Sequence, residues 1–290
     1  MILKILKRNC IEALVDLYPK EECEAFFYRL AEHILSMQRT DIALNGYVVV
    51  SGKKQEKFTE AIERLKTFEP IQYIIGSTAF FGLEFKVNTK VLIPRPETEE
   101  LVDFIIKDSS VRATENPLRI LDIGTGSGCI SIALAKHLSK VNVFAVDVSE
   151  EALNLAKTNA TLNDVDVRFL NVDILNDFTR EDDFNELEFD VIVSNPPYVR
   201  ESEKELMQPN VLNYEPHIAL FVENNDPLLF YKAIIAFSQR FLAVKGILYF
   251  EINETLGKDM VKLLNDSGFG DIELKLDIFG KDRMIKAIKQ

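Results

Sequence analysis

Asn195, Pro196, Pro197 and Tyr198 close the apolar run Val191, Ile192, Val193 and Ser194. Neither proline has an N–H, each holds φ near roughly −65°, and the residue before a proline is pushed toward extended backbone, so strand and helix both stop here and the loop is stiff. A stiff loop at the carboxyl end of a buried strand lies where open α/β sheets hold ligands. It would aim two acceptors one way, the Asn195 carboxamide oxygen and the Pro196 carbonyl. Two such oxygens suit a planar, non-basic nitrogen, whether the exocyclic amine of adenine or guanine or the side-chain amide of glutamine. An amide nitrogen spends its lone pair on a bond whose rotation barrier is about 18–20 kcal/mol, so a conventional base is not the obvious remedy. Oxygens that take its two N–H protons hold the lone pair outward and stabilise positive charge as it develops, binding the transition state more tightly than the ground state. Tyr198 would pack on the planar group. An ordinary Pro-Pro turn with an aromatic capping the sheet is the alternative, and what lies upstream decides between them.

Upstream, Leu121, Asp122, Ile123, Gly124, Thr125, Gly126, Ser127 and Gly128 join an expected strand to the helix-like stretch Cys129 to Ala135. Glycines allow a tight turn and close approach of a ligand to the backbone. The third glycine comes one residue too early for a dinucleotide fingerprint, because Cys129 occupies the place that wants glycine or alanine, and this disfavours NAD and FAD. Asp147 closes the next strand, where a carboxylate accepts from both hydroxyls of a ribose; its alternative role is to cap the helix that begins near Ser149. Asp173 and Ile174, after the third strand, fall where an adenine edge and face would be. The combination fits S-adenosyl-L-methionine, converted to S-adenosyl-L-homocysteine, with Gly124, Thr125, Gly126, Ser127, Gly128, Asp147, Asp173 and Ile174 as its contacts.

The elements that must position these residues follow from periodicity. Residues 1–69 carry apolar side chains at three- and four-residue spacing: Ile11, Leu14, Val15 and Tyr18, then Cys23, Phe26, Phe27, Leu30 and Ile34, then Phe58, Ile62 and Leu65. That spacing predicts a small helical bundle with no titratable cluster, a packing or docking domain. The character changes at Pro70, and residues 80–93 alternate with a period of two, which predicts a β-hairpin turning at Asn88 and Thr89 within a connector of residues 70–94. Pro96 and the acids Glu97, Glu99 and Glu100 open a helix as the helix dipole favours. Residues 95–290 then alternate strand and helix. Strands are expected at 119–123, 142–147, 165–170, 190–194 and 246–251, and a terminal pair at 271–276 and 284–288 turns at Phe279, Gly280 and Lys281. This is an α/β pattern with a mostly parallel, Rossmann-like sheet. By fold-level analogy, the antiparallel terminal hairpin suits the seven-stranded class I methyltransferase sheet.

The composition sets limits. With 290 residues, 47% hydrophobic and 28% charged, the chain can bury a large core, and no apolar run approaches a membrane span. The early charges of Lys4, Lys7 and Arg8 do not suit a signal peptide, and a cytoplasmic location is expected. Three scattered cysteines and three scattered histidines suggest neither disulfides nor a metal site. Residues 1–94 are nearly neutral, with 13 Lys and Arg against 12 Asp and Glu, which leaves 21 against 34 in the remainder. A strongly acidic larger part weighs against direct nucleic-acid binding.

From Pro70 to Arg283 the chain resembles the release-factor glutamine N5-methyltransferases, the PrmC or HemK-like family. The resemblance is carried by Ile71 to Ile74 with Gly76, Phe81 to Leu83, Val91 to Glu99, Asp122 to Ile130, Ile192 to Tyr198, Tyr214 to Pro216 with Ala219 and Leu220, and Gly280 to Arg283. The block Ile93 to Glu99 is the most discriminating. Departures are Asn225, Asp226 and Pro227 in place of an Asp-Gly turn, and Asn253 in place of a glycine. The resemblance implies methyl transfer to the glutamine of the Gly-Gly-Gln loop of class I peptide chain release factors. It implies that Asn195 joins Gly124 to Gly128, Asp147 and Ile174 in the cofactor site, that Asn195, Pro196, Pro197 and Tyr198 hold that glutamine, and that Asn195, Pro196 and Tyr198 serve catalysis. The helical N-terminal domain would dock the release factor. Rival readings are a ribosomal-protein glutamine methyltransferase, a DNA or RNA N-methyltransferase, and a non-catalytic binding protein that keeps the fold.

Overall fold

The computed structural model describes residues 1–108, 116–176 and 187–290. It falls into two units, Met1–Gly76 with Gln208–Tyr214, and Ser77–Met207 with Glu215–Gln290.

The first unit is helical because its apolar residues recur on one helix face. Its helices are α1 (Leu3–Leu14), α2 (Lys20–Leu35), α3 (Arg39–Leu44), α4 (Gly52–Lys66) and α5 (Ile71–Ile75). Leu3, Leu6, Cys10 and Leu14 of α1, Cys23, Phe26, Phe27 and Leu30 of α2, and Phe58, Ala61, Ile62 and Leu65 of α4 make one core, with the rings of Phe27 and Phe58 stacked at 5.9 Å. Val15 departs from the expected stripe. It caps α1 beyond the last turn and is exposed. The segment Gln208–Tyr214 is tied in by the Tyr214 hydroxyl, which lies 2.9 Å from the Thr67 carbonyl and 2.7 Å from Thr67 Oγ1.

The second unit begins with the hairpin β1 (Ser77–Phe80) and β2 (Leu83–Lys86). Its turn lies at Phe81 and Gly82, not at Asn88 and Thr89 as the alternation suggested. A two-residue hairpin loop matches strand twist when both central residues have positive φ, and Phe81 and Gly82 stand at 49° and 76°. Asn88 builds a local turn instead, its side-chain oxygen accepting from Lys90 N at 2.9 Å and its carbonyl from Val91 N at 3.2 Å. Phe80 and Phe85 of the hairpin are buried in the core of this unit.

Among the described residues the main sheet has seven strands in the order β10-β11-β9-β6-β3-β4-β5. These are β3 (Leu118–Ile123), β4 (Val141–Asp147), β5 (Arg168–Asn171), β6 (Phe189–Ser194), β9 (Leu242–Glu251), β10 (Phe269–Leu276) and β11 (Asp282–Lys289), while β7 (Val199–Arg200) and β8 (Phe221–Val222) form a separate parallel pair. β11 runs antiparallel to both β9 and β10, and the other pairings are parallel. The central strands read as unbroken apolar runs because both faces are covered. Ile120, Val191 and Val193 face a core shared with α6 (Pro96–Lys107) and α7 (Cys129–His137). Leu121, Ile123 and Ile192 face the core of α9 (Leu229–Phe241) and α10 (Gly257–Asp266), and α8 (Glu150–Leu162) follows β4.

The register brings the site together. Ile123 pairs with Val146 on one side and Ser194 on the other, and Ser194 pairs with Phe250. The loops after β3, β4, β6 and β9 therefore emerge at one level of the carboxyl edge. The strand order reverses between β3 and β6, where open α/β sheets bind ligands.

Candidate active site

The glycine loop is held from beneath. Gly124 N and Thr125 N donate to the Val146 carbonyl at 2.9 and 3.0 Å. Asp122 is fully buried, and its Oδ2 accepts from Thr125 Oγ1 at 2.6 Å and Ser131 N at 3.2 Å. Burial pushes its carboxyl up to about 6, against the pull of those hydrogen bonds, while Oδ1 has no partner among the described residues. Gly124 and Gly126 have φ of 74° and 55° and open space where a side chain would begin, so the backbone is bare toward the cavity above it. Gly128 serves packing instead. A Cβ there would lie 2.8 Å from Ile132 Cδ1 and 3.1 Å from Ala156 Cβ. Asn159 of α8, which the sequence reading passed over, donates to Ser127 O at 2.9 Å and Lys86 O at 3.0 Å, and accepts from Lys86 N at 2.7 Å. Asn159 is fully buried, and a buried amide needs partners, but that burial is visible only in the fold.

Asp147 reaches the same loop. Its Oδ2 accepts from Gly126 N at 2.8 Å and its Oδ1 from Ser149 N at 2.9 Å. A carboxylate has about four acceptor sites, so with the backbone N–H groups of Gly126, Ser149 and Val148 on it Asp147 keeps acceptor capacity, and burial raises this carboxyl above its ordinary value. The cap of α8 is Ser149, whose Oγ accepts from Ala152 N, so the capping role weighed for Asp147 goes to its neighbour. Asp173 folds the turn after β5, accepting from Leu175 N and Asn176 Nδ2. A cavity of about 300 Å³ opens here, within the usual range for small-molecule sites. Gly124, Thr125, Gly126, Ser127, Asp147, Asp173 and Ile174 line it together with Asn195, Pro196 and Pro197. Gly128 and Tyr198 are not among its lining residues.

At the other end, Asn195 Nδ2 donates to Thr98 Oγ1 at 3.2 Å, and Thr98 Oγ1 donates to Glu251 Oε2 at 2.7 Å. The Tyr198 hydroxyl donates to Glu251 Oε1 at 2.9 Å, and that of Tyr231 to the Glu251 carbonyl at 3.0 Å. Glu251 is 1% exposed. Burial pushes its carboxyl up, while the bonds from Thr98 and Tyr198 and the charge of Arg283 pull it down. Thr98 and Glu251 were not singled out from the sequence, although a carboxylate closing the apolar run Ile247 to Phe250 was visible there. Arg95, at the cavity wall, pairs with Glu215, which also accepts from Ile93 N at 3.1 Å. Asn253, the departure beside β9, donates to the Tyr198 carbonyl at 3.4 Å and accepts from Thr255 N at 3.0 Å.

A family model described as PrmC N-terminal domain matches residues 8–76, and one described as Methyltransferase small domain matches residues 109–212. The release factor glutamine methyltransferase of Flavobacterium psychrophilum is 49% identical over 286 residues, 99% of each chain. The chain belongs to the release factor glutamine methyltransferase family. The Bacteroides thetaiotaomicron member of that name is 44% identical, over 95% of this chain and 96% of its own. Among solved structures, the hMettl16 catalytic domain in complex with the MAT2A 3'UTR hairpin 1 shares the fold, with 19% identity and a TM-score of 0.54 over 85% of this chain and 84% of that one. The methyl donor of a release factor glutamine methyltransferase is S-adenosyl-L-methionine. The residues present fit it: bare backbone at Gly124 and Gly126 leaves room for a ligand, and Asp147 offers a carboxylate at the same cavity. Among the described residues no group of His, Cys, Asp or Glu could hold a metal ion, and no helix is long and apolar enough to cross a membrane.

Proposed function

We propose that this protein transfers a methyl group from S-adenosyl-L-methionine to the side-chain amide nitrogen of the glutamine in the Gly-Gly-Gln loop of class I peptide chain release factors, in the cytoplasm and without direct nucleic-acid contact. The observation that carries this reading is that the glycine loop, Asp147 and the Asn195 carboxamide line one cavity, with Asn195 anchored through its nitrogen. The bound donor supplies a methyl carbon on a sulfonium, an electrophile that needs no acid to activate it.

The chain's own task is the nucleophile. Asn195 Oδ1 and the Pro196 carbonyl accept hydrogen bonds from the two N–H groups of the glutamine amide, and this turns the nitrogen lone pair toward the methyl. As the N–C bond forms the methyl–sulfur bond breaks, the donor leaves as its thioether, and the methylated amide gives up one N–H proton to solvent. Fixed acceptors strengthen as positive charge grows on that nitrogen, so they favour the transition state over the ground state. Pro196 and Pro197 keep the loop from relaxing, and alignment of the two reactants supplies up to roughly 7–11 kcal/mol. Asp147 holds the donor's ribose, and Asp173 and Ile174 hold its adenine. Gly128 supports the loop through packing, and Tyr198 acts on the site through Glu251. The Met1–Gly76 bundle recognises the release factor.

The test is incubation with labelled S-adenosyl-L-methionine and, separately, a class I release factor, a ribosomal protein and DNA. Label on the Gly-Gly-Gln glutamine alone supports the reading. Label on either of the other substrates and none on the release factor overturns it.

A further inference from the structure

We propose that Thr98 and Glu251 are positioning residues that decide which atom of the Asn195 carboxamide faces the acceptor nitrogen. The inference rests on the reading of Asn195 Oδ1 as a hydrogen-bond acceptor for the substrate amide.

A carboxamide is nearly symmetric in shape, and turning it over exchanges an acceptor for two donors. Presented by its nitrogen, Asn195 would meet the N–H groups of a glutamine amide donor to donor. Its own backbone does not choose between the two orientations. The choice is made by Thr98, 3.2 Å from Asn195 Nδ2. A threonine hydroxyl has one hydrogen, and here that hydrogen is committed to Glu251 Oε2 at 2.7 Å. The other carboxylate oxygen is taken by the Tyr198 hydroxyl at 2.9 Å. An ionised carboxylate is an acceptor only, so both hydroxyls must donate to it. Thr98 Oγ1 can then only accept, and only the nitrogen of Asn195 can supply that bond. The carboxamide oxygen is left free for the acceptor. Polarity thus runs one way, from a buried charge on β9 through α6 to the loop after β6.

The charge state of Glu251 sets this direction. Facing it are Thr98 and Glu97 of α6, Tyr198, Tyr231 of α9, Arg283 of β11 and Cys129 of α7. When Glu251 takes a proton it gains a hydrogen to donate. Thr98 is then free to donate to Asn195, and the carboxamide can turn over. Activity is therefore lost as pH falls through the Glu251 titration, which burial raises above its ordinary value.

The experiment compares Thr98→Val, which keeps shape and loses the hydroxyl, with Thr98→Ser, which keeps it, using the full chain, a release factor and saturating donor. Thr98→Val lowers kcat by roughly 10- to 100-fold, the scale set by an unpaired buried polar group, while donor affinity by calorimetry is kept. Thr98→Ser recovers most of the lost turnover. Wild-type turnover in Thr98→Val, or equal losses in both variants, overturns the proposal. A second measurement covers the case in which Thr98→Val loses donor affinity. The acid limb of the wild-type kcat profile disappears in Glu251→Gln, and its persistence there overturns the proposal as well. If the wild type leaves the release-factor glutamine unmethylated, the functional reading fails and this proposal falls with it; loss of the Thr98 effect alone leaves that reading standing.

Discussion

At the scale of single residues, the two carboxyl-edge groups Asn195 and Asp147 do separable work, and their substitution separates it. Asn195→Ala removes one preorganised acceptor and lowers kcat by about 10²–10³, the cost of deleting a comparable group elsewhere. Donor affinity persists because the glycine loop is bonded to Val146, Asp147 and Asn159 and not to Asn195. Single-turnover kinetics with saturating donor check this, and near-normal turnover refutes the role. Asp147→Ala acts on the donor. It deletes a carboxylate at the cavity wall and also frees Gly126 N, which donates to it at 2.8 Å. The expected result is weaker donor binding by calorimetry, with turnover partly regained at high donor concentration; unchanged affinity counts against the assignment.

At the scale of elements, the site depends on how closely α7 and α8 approach the turn between β3 and α7. Gly128 stands at φ +82°, which an L side chain rarely adopts, and its missing side chain is the space that Ile132 and Ala156 fill. Gly128→Ala meets both the backbone strain and the overpacking, of which overpacking alone costs about 1–3 kcal/mol. Ile132 Cδ1 is the far end of a flexible side chain and can move, whereas Ala156 Cβ cannot leave its helix. The strain should therefore displace the loop as well as destabilise the unit. Denaturant unfolding and donor titration together test this: a variant as stable as the wild type, with wild-type donor affinity, shows that the contact is slack.

At the scale of the whole molecule, each unit has its own apolar core, so removing residues 1–76 is expected to spare donor affinity and to raise KM for the release factor. An unaltered KM would remove the docking role from the bundle. Stability against pH is a second whole-molecule property. The folded state raises Asp122 to about 6, well above the value of a carboxylate in an unfolded chain. Between roughly pH 4 and 6 the folded state then binds the proton more tightly, and stability falls as pH rises through that window. The contribution is at most about 3 kcal/mol. It is measured as a wild-type unfolding free energy that declines relative to Asp122→Asn across the window; parallel curves would show that Asp122 titrates normally.

The sequence alone determined the class of fold, because hydrophobic periodicity and proline and glycine placement act within a few residues of themselves. Alternating strands and helices, the stiff Asn195 loop, the glycine turn after Ile123 and the terminal hairpin were all legible in it. Where the hairpin of residues 77–86 turns was not, since the alternation runs through Phe81 and Gly82 without a break and only strand twist selects a positive-φ pair. Thr98, Asn159 and Glu251 were likewise silent as site residues. Asn159 reaches Lys86 across 73 residues of chain, Glu251 reaches Tyr198 across 53 and Thr98 reaches Glu251 across 153, where local patterning carries no signal. Only the register of β6 against β9, which sets Ser194 beside Phe250, places the Glu251 carboxylate next to the loop that needs it.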